Sequence, residues 1–442
     1  MIAWCAIALF GCQSHPAAVK NVVIVVVDTL RADRLGRYGN MRGLTPFLDQ
    51  LADRGVRFDH AYANASWTMP SVASLLTSRY PSQHGVHDFD SRLSDDEVTF
   101  AERLSQAGYV GGGFTANFRL AADLGYAQGF AAWQGFAESP NSPTKARASV
   151  VRDAVFNWVD RTSSSAPRLL YVQIMEPHAP YQPPADLRAR LLPAISAEEA
   201  ARVDDKALLM TEPLTPTELT ILTGMYDAEV AAADAELRQV FDGLAQRGFL
   251  DDALVIVTGD HGEELMEHGE LGHGFDLFNE TVHVPLLISG PGVPAGRVVG
   301  QNVSLVDLAP TLLELLGLPP EPRFEGRSLA GMLRAATPAV VMSDIILQLP
   351  RNNAPADARD HREGLVRGTD KLLVEPDGSA RVYDLANDPG ELAGKPPPAT
   401  AALSLGLEQA NAALAARERH EVGTAPLDDA TKEKLRALGY ER

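Results

Sequence analysis

Cysteine is almost absent from this chain: Cys5 and Cys12 are the only two in 442 residues. The body after residue 12 therefore holds no disulfide, no zinc–thiolate centre and no cysteine nucleophile. Positive charge is also scarce, with 39 Lys and Arg against 58 Asp and Glu, a net charge of −19. That balance argues against a nucleic-acid partner, because phosphate backbones need Lys and Arg to neutralise them. It does not exclude a small anionic substrate, provided a metal ion supplies local positive charge.

Long apolar runs are missing as well. Residues 1–11, MIAWCAIALFG, are too short to span a bilayer as a helix and read as the hydrophobic part of an export signal. Leu9-Phe10-Gly11 before Cys12 is similar to a bacterial lipoprotein processing site, so the expectation is an exported protein of the periplasm or cell envelope, lipid-anchored at Cys12. Membrane contact would run only through that lipid or anchor. A hydrophobic content of 45% lets the rest bury a large core.

Residues 1–20 read as leader and linker. NVVIVVVD, from Asn21 to Asp28, is a β-branched run suited to a central strand covered on both faces. RLLYVQIM (168–175), ALVIVT (253–258) and 284–288 are further strands, with another at 109–116. Helices are predicted from Thr45-Pro46 to Gly55, from Thr99 to Gly108, over 144–161, from Thr215-Pro216 to about Gly248, and from Ser304 to Gly317. This alternation predicts an α/β fold around a mainly parallel sheet flanked by helices, over 21–335. Composition changes after about residue 335. There Glu363–Val374 and Ala380–Leu385 flank Pro376-Asp377-Gly378 as a hairpin, giving 336–442 a small antiparallel sheet. The Ala- and Pro-rich stretch 394–427 reads as a peripheral helix with linkers.

Ligands of open α/β sheets gather at the carboxyl ends of strands. Asp28, Asp260-His261 and Glu176-Pro177-His178 all come directly after predicted strands. Asp28, Asp260 and His261 are hard or borderline ligands suited to one divalent ion, Mn, Ca, Mg or Zn. SWTMPSVASLLTSRYPSQHGV, residues 66–86, puts Thr68 at a helix start, with Pro70 suited to the first turn. A hydroxyl there meets unpaired N–H groups and the positive end of the helix dipole, which favour an oxyanion. The plainer reading makes Thr68 a helix cap. A bound metal could lower the pKa of its hydroxyl. His273, between two glycines, is a candidate anion contact, and His178 in PHAPY could protonate a leaving oxygen. His268 reads as surface or outer support, and His283 as structural. Asp227 and Asp234 in YDAEVAAAD share a helix face, which by default is solvated; they read here as structural or supporting.

NVVIVVVDTLRADRLGRYG, LTPFLDQLADRGVRFDHAYA, MEPHAPYQPP, LVIVTGDHGEE, SLVDLAPTLLELLGLP…GRSL and VRGTDKLLV…VYDLANDPGE resemble, in order, blocks of the sulfatase family of the alkaline phosphatase superfamily. The likeness covers about residues 20–395. It implies that family's fold, one divalent metal, a covalent intermediate at position 68, and hydrolysis of a sulfate or phosphate ester. By that resemblance Asp28, Thr68, Asp260 and His261 match metal positions, and His178 and His273 match substrate contacts. Asn117 and Arg119 in TANFRL fall where the family has a Lys/His pair. The chain departs from the family in having Thr68 where typical members convert Cys or Ser to formylglycine, Val72 for an arginine, Thr29 for an aspartate and His261 for an asparagine. Those departures are similar to a threonine-nucleophile branch that includes lipid-headgroup phosphotransferases, so the expected substrate is an anionic ester, a glycan or lipid headgroup included. Two further readings are open: transfer of a phosphoryl unit to a glycan or lipid hydroxyl, and a non-catalytic lipoprotein that binds ligand on the same fold.

Overall fold

The computed structural model describes residues 19–136, 145–209, 212–334, 344–350, 361–396, 401–417, 419–420 and 422–437. The leader with Cys5 and Cys12 lies outside them. In chain order the main elements are β1 (Asn21–Val27), α1 (Pro46–Arg54), β2 (Val56–Tyr62), α2 (Thr68–Thr77), α3 (Phe100–Gln106), β3 (Val110–Thr115) and β4 (Ala132–Gly135). They continue with α4 (Ala148–Arg161), β5 (Arg168–Ile174), α5 (Ala197–Leu209), α6 (Pro216–Gln246), β6 (Ala253–Gly259), β7 (His283–Ser289), β8 (Arg297–Ser304) and α7 (Leu308–Leu315). The C-terminal set is β9 (Asp344–Pro350), β10 (His361–Arg367), β11 (Asp370–Val374), β12 (Ala380–Asp384) and α8 (Ala401–Ala415).

Eight strands form one sheet in the order β8-β2-β7-β6-β1-β5-β3-β4. All pairs are parallel except those made by β7, which runs against both β6 and β2. β1, β5 and β6 are buried at every position, as continuous apolar runs demand of strands covered on both faces. Helices make that cover: Val151 and Val155 of α4 and Leu237, Val240 and Leu244 of α6 join one core cluster, while Val72, Leu75 and Leu76 of α2 join the other. Gly112 in β3 keeps the α4 face close, because a Cβ there would lie 2.5 Å from the Trp158 ring.

β9, β10, β11 and β12 form a separate antiparallel sheet. Its Ile345, Leu347, Leu373 and Tyr383 join the same core cluster as α2, and α8 covers part of it with Leu403, Leu407 and Leu414. One local expectation is corrected here. Residues 363–374 are not a single strand: the chain turns at Gly368, whose φ of +62° suits glycine, so the stretch belongs to two strands.

Two helix starts are not capped by their threonine hydroxyls, although α1 does open at Thr45-Pro46 as expected. Thr45 makes no side-chain cap for α1. Instead Asp234, far away on α6, accepts the N–H groups of Phe47 at 3.0 Å and Leu48 at 2.8 Å. Nor does Thr68 cap α2: Trp67 is the N-cap and Thr68 is the first helical residue. The helix-capping reading of Thr68 is therefore overturned, and its hydroxyl is turned elsewhere.

Burial pushes the Asp234 carboxyl up to about 6. A group that holds its proton more tightly folded than unfolded favours the native state less as pH rises. Between about pH 4 and pH 6, Asp234 should therefore cost the fold about 1–2 kcal/mol, allowing for partial solvent screening. Asp234→Asn should flatten that part of the stability–pH curve in urea titrations. Asp234→Ala, leaving two buried N–H groups unpaired, should lower stability by about 2 kcal/mol near pH 4 and by less above about pH 6, where the parent has lost its own increment.

Candidate active site and metal centre

Asp28 comes directly after β1 and Asp260 directly after β6, and these strands are hydrogen-bonded neighbours in register, Val27 opposite Gly259. The two carboxylates thus leave the sheet side by side. On the other flank β5 leads to His178 and β3 to Asn117, so four adjacent parallel strands deliver the candidate residues to one edge. This is where the sheet's carboxyl ends should gather a ligand.

Asp28, Asp260 and His261 are fully buried and offer ligand atoms all within 4.8 Å of one another. His261 Nδ1 lies 2.9 Å from the Gly262 carbonyl and so must carry a proton to donate there. Its Nε2 then keeps a lone pair facing the carboxylates, 3.5 Å from Asp28 Oδ1 and 3.8 Å from Asp260 Oδ2. Burial pushes Asp28 up to about 8 and Asp260 up to about 7, and the Asp260 charge adds to the shift on Asp28. Among the described residues no Lys or Arg pairs with either, and Asp28 Oδ1 is buried without a hydrogen-bond partner. Two buried carboxylates, an imidazole lone pair and an orphaned oxygen are a donor set that fits a divalent cation.

Thr68 points its hydroxyl into this cluster. Oγ1 lies 3.2 Å from His261 Nε2 and 3.5 Å from Asp28 Oδ2. Asn117 Nδ2 donates to Asp28 Oδ2 at 2.9 Å and to Thr68 Oγ1 at 3.4 Å. Arg119 joins through its backbone, N–H to Asn117 Oδ1 at 2.9 Å, while its guanidinium sits 5.9 Å from the Phe118 ring. The His273 ring lies 4.4 Å from the His261 ring and 5.0 Å from His178. Burial, with the neighbouring His273, holds the His178 imidazole down to about 3, so it is neutral near pH 7. Its Nδ1 hydrogen-bonds the Ala179 carbonyl.

The remaining candidates lie outside the cluster. His283 bonds the Asp59 carbonyl at 2.8 Å, a structural contact. His268 is stacked on Phe278 and lies 3.6 Å from Glu280. Asp227 and Asp234 are buried, not solvated, and Asp227 pairs with Arg34 and Arg42.

Two residues escape a reading of the sequence. Gln173 Nε2 donates to Asp260 Oδ2 at 3.1 Å, and Glu263 Oε1 lies 2.8 Å from His273 Nδ1. Gln173 does leave a trace, as the lone amide inside the apolar run RLLYVQIM. Glu263 leaves none, being one of several carboxylates in its loop.

The model of the family described as Sulfatase matches residues 20–318. The chain belongs to the sulfatase family. Among its relatives, bovine arylsulfatase K is 26% identical over 360 residues, covering 72% of this chain and 66% of that protein. The extracellular sulfatase SULF-1 homolog of Drosophila melanogaster is 26% identical over 72% of this chain but only 32% of its own length. A sulfatase of Formosa agariphila is 26% identical, covering 84% of this chain and 82% of that protein. The chain thus spans about two thirds or less of the first two relatives. Its fold matches the phosphonate monoester hydrolase of Agrobacterium radiobacter, with a TM-score of 0.75, 23% identity, and 91% and 96% of the two chains covered. It also matches a protein solved with its substrate D-glucosamine-2-N,6-O-disulfate, with a TM-score of 0.70, 21% identity, and 96% and 98% covered. Sulfatase-superfamily members are metal-dependent, in keeping with the Asp/Asp/His cluster.

Mn²⁺ or Ca²⁺ at about a hundred times its dissociation constant should therefore raise unfolding stability by about 2.7 kcal/mol. Asp28→Asn should remove that increment, and in metal-free buffer it should melt no lower than the parent, since it relieves a buried like-charge pair. Scanning calorimetry with and without chelator checks both.

Proposed function

We propose that the protein is an exported, metal-dependent hydrolase that cleaves sulfate or phosphate esters with Thr68 as nucleophile. The observation that carries this reading is the 3.2 Å separation of Thr68 Oγ1 from the His261 lone pair, beside Asp28. Asp28, Asp260, His261 and Thr68 Oγ1 would hold the cation. Bound there, it would offset both carboxylates and make the hydroxyl more acidic.

The chain's own groups then divide the work. Thr68 Oγ attacks sulfur or phosphorus in line, forming the threonyl ester as the bond to the leaving alcohol breaks. Asp28 Oδ2, 3.5 Å from Oγ1, is the acceptor within reach of the hydroxyl proton, because the one lone pair of His261 would be taken up by the cation. The first-turn amides of α2, with Asn117 and His273, meet the non-bridging oxygens. His178 is neutral at rest. An anionic ester beside it favours uptake of a proton from water by the ring, which then gives that proton to the departing oxygen. Water at the threonyl ester completes hydrolysis. A threonyl phosphate is open to that attack, which favours phosphate and phosphonate esters over sulfate for a nucleophile that is not formylglycine.

Capture of the same intermediate by a glycan or lipid hydroxyl is the second reading, and Thr68 is the residue that favours it. A non-catalytic binding role has Val72 in its favour, a core residue where the resemblance expects arginine. The assembled Asp28, Asp260, His261 and Thr68 weigh against it. Export is supported by the relative named as extracellular. Among the described residues, no helix is long and apolar enough to cross a membrane.

With metal supplied, Thr68→Ala should lower kcat/KM on aryl phosphate, phosphodiester and sulfate esters by ~10³-fold or more. Rapid quench and intact mass should find an adduct on the Thr68 peptide of the parent and none on the variant. Equal turnover by both proteins would refute the nucleophile, and acceptor-dependent release would favour transfer.

A further inference from the structure

A cavity adjoins the site. Glu263 and His273 form part of its wall, and so does Trp67, the residue before Thr68. The remaining wall is chiefly apolar: Phe89, Tyr181 and Phe275 contribute rings, and Leu208 of α5 and Leu222 of α6 add aliphatic surface. Trp67 and Phe89 meet edge to face at 5.0 Å, which gives one wall a fixed aromatic corner.

Its charge is one-sided. No described lining residue is Lys or Arg, whereas Asp204 and Glu263 both line it. Asp204 is 5% exposed, and its Oδ2 accepts the Tyr181 N–H at 3.0 Å. Its other oxygen, Oδ1, is buried and has no hydrogen-bond partner. A buried carboxylate oxygen left unpaired is costly unless a ligand donates to it. A leaving group bearing further sulfates or carboxylates would meet two like-charged groups in the wall and no Lys or Arg among its described residues.

Resting on the ester-cleavage reading, we propose that this cavity seats the organic half of the substrate and selects an uncharged aromatic alcohol. A hydroxyl on its ring donates to Asp204 Oδ1. Asp204 is then a specificity residue of the site, and polyanionic glycans are poor ligands.

Non-hydrolysable phosphonates test this by isothermal titration on the full chain with Mn²⁺. The buffer is held at about pH 8.5, above the value of about 7 to which burial pushes Asp204. Phenylphosphonate should bind at least about tenfold tighter than methylphosphonate, because it alone fills the apolar wall. 4-Hydroxyphenylphosphonate should gain about a further fivefold. Asp204→Asn keeps an oxygen for the Tyr181 N–H but turns an amide donor toward the cavity. It should lose the second gain and retain the first, and Phe275→Ala should shrink the first without changing methylphosphonate. Equal binding of phenyl- and methylphosphonate by the parent would overturn the aromatic subsite and leave the ester site standing. A hydroxyl gain that survives Asp204→Asn would overturn the role of Asp204. Failure of every phosphonate to bind would overturn the ester-cleavage reading itself, and this proposal with it.

Discussion

Everything at the active edge depends on two carboxylates that water cannot reach. Asp28 and Asp260 leave adjacent parallel strands in register, at zero exposure, with an imidazole lone pair 3.5 Å from Asp28 Oδ1. Burying an ionised carboxylate without a counter-charge is among the more expensive things a fold can do, and placing two side by side raises the cost. The surroundings answer with hydrogen bonds that favour charge: Gln173, Asn117 and the N–H groups of Thr29 and His261 all donate to these oxygens. Those donors reduce the cost of charge without neutralising it. A divalent cation is the group that would, and Thr68 lies where such a charge acts on a hydroxyl.

Sheet topology explains how residues so distant in sequence meet. Strands β6, β1, β5 and β3 run parallel and adjacent, so their carboxyl ends form one short row. Each strand contributes residues from just beyond its carboxyl end: Asp260-His261, Asp28, His178 and Asn117. The antiparallel strand β7 lies beyond β6 and delivers none of these residues, consistent with its opposite direction. Helix α2 then reaches the row from outside, with Thr68 at its first turn.

Much of this row is legible in the sequence because burial on both faces leaves a plain signature. NVVIVVV and ALVIVTG admit no solvent face, so a charged residue immediately after them must stand at the edge of a core. Asp28, Asp260 and His261 can be read on that ground alone. Gln173 leaves a fainter trace, since one amide inside an apolar strand is a small departure. The caps are misleading because capping atoms need not be local: α1 takes its acceptor from Asp234, 187 positions away from Phe47. The 363–374 stretch reads as one strand because its turn uses Gly368 alone, with no Pro, Asn or Asp directly adjacent to mark a reversal.

The least legible element is the one that braces the site. On α6 the run YDAEVAAAD looks like a solvated charged face, yet its polar residues are all buried. Tyr226 donates to the Thr29 carbonyl at 2.7 Å, holding a β-branched residue at a φ of +57° directly after Asp28. Such a conformation persists only where surrounding contacts enforce it. Glu229 pairs with Lys145 at 3.1 Å and accepts the Gln182 N–H, and Lys145 in turn donates to the His178 carbonyl at 2.6 Å. Asp227 holds Arg34 and Arg42 of the loop after β1, and Asp234 anchors the start of α1. One helix therefore fixes the backbone at two places in the site, the loop after Asp28 and the loop bearing His178. Charge on a helix marks a solvated face only when nothing packs over it. Here the polar side chains bond to the loops that bear Asp28 and His178, so the same residues that weaken an isolated amphipathic pattern give those loops their rigidity.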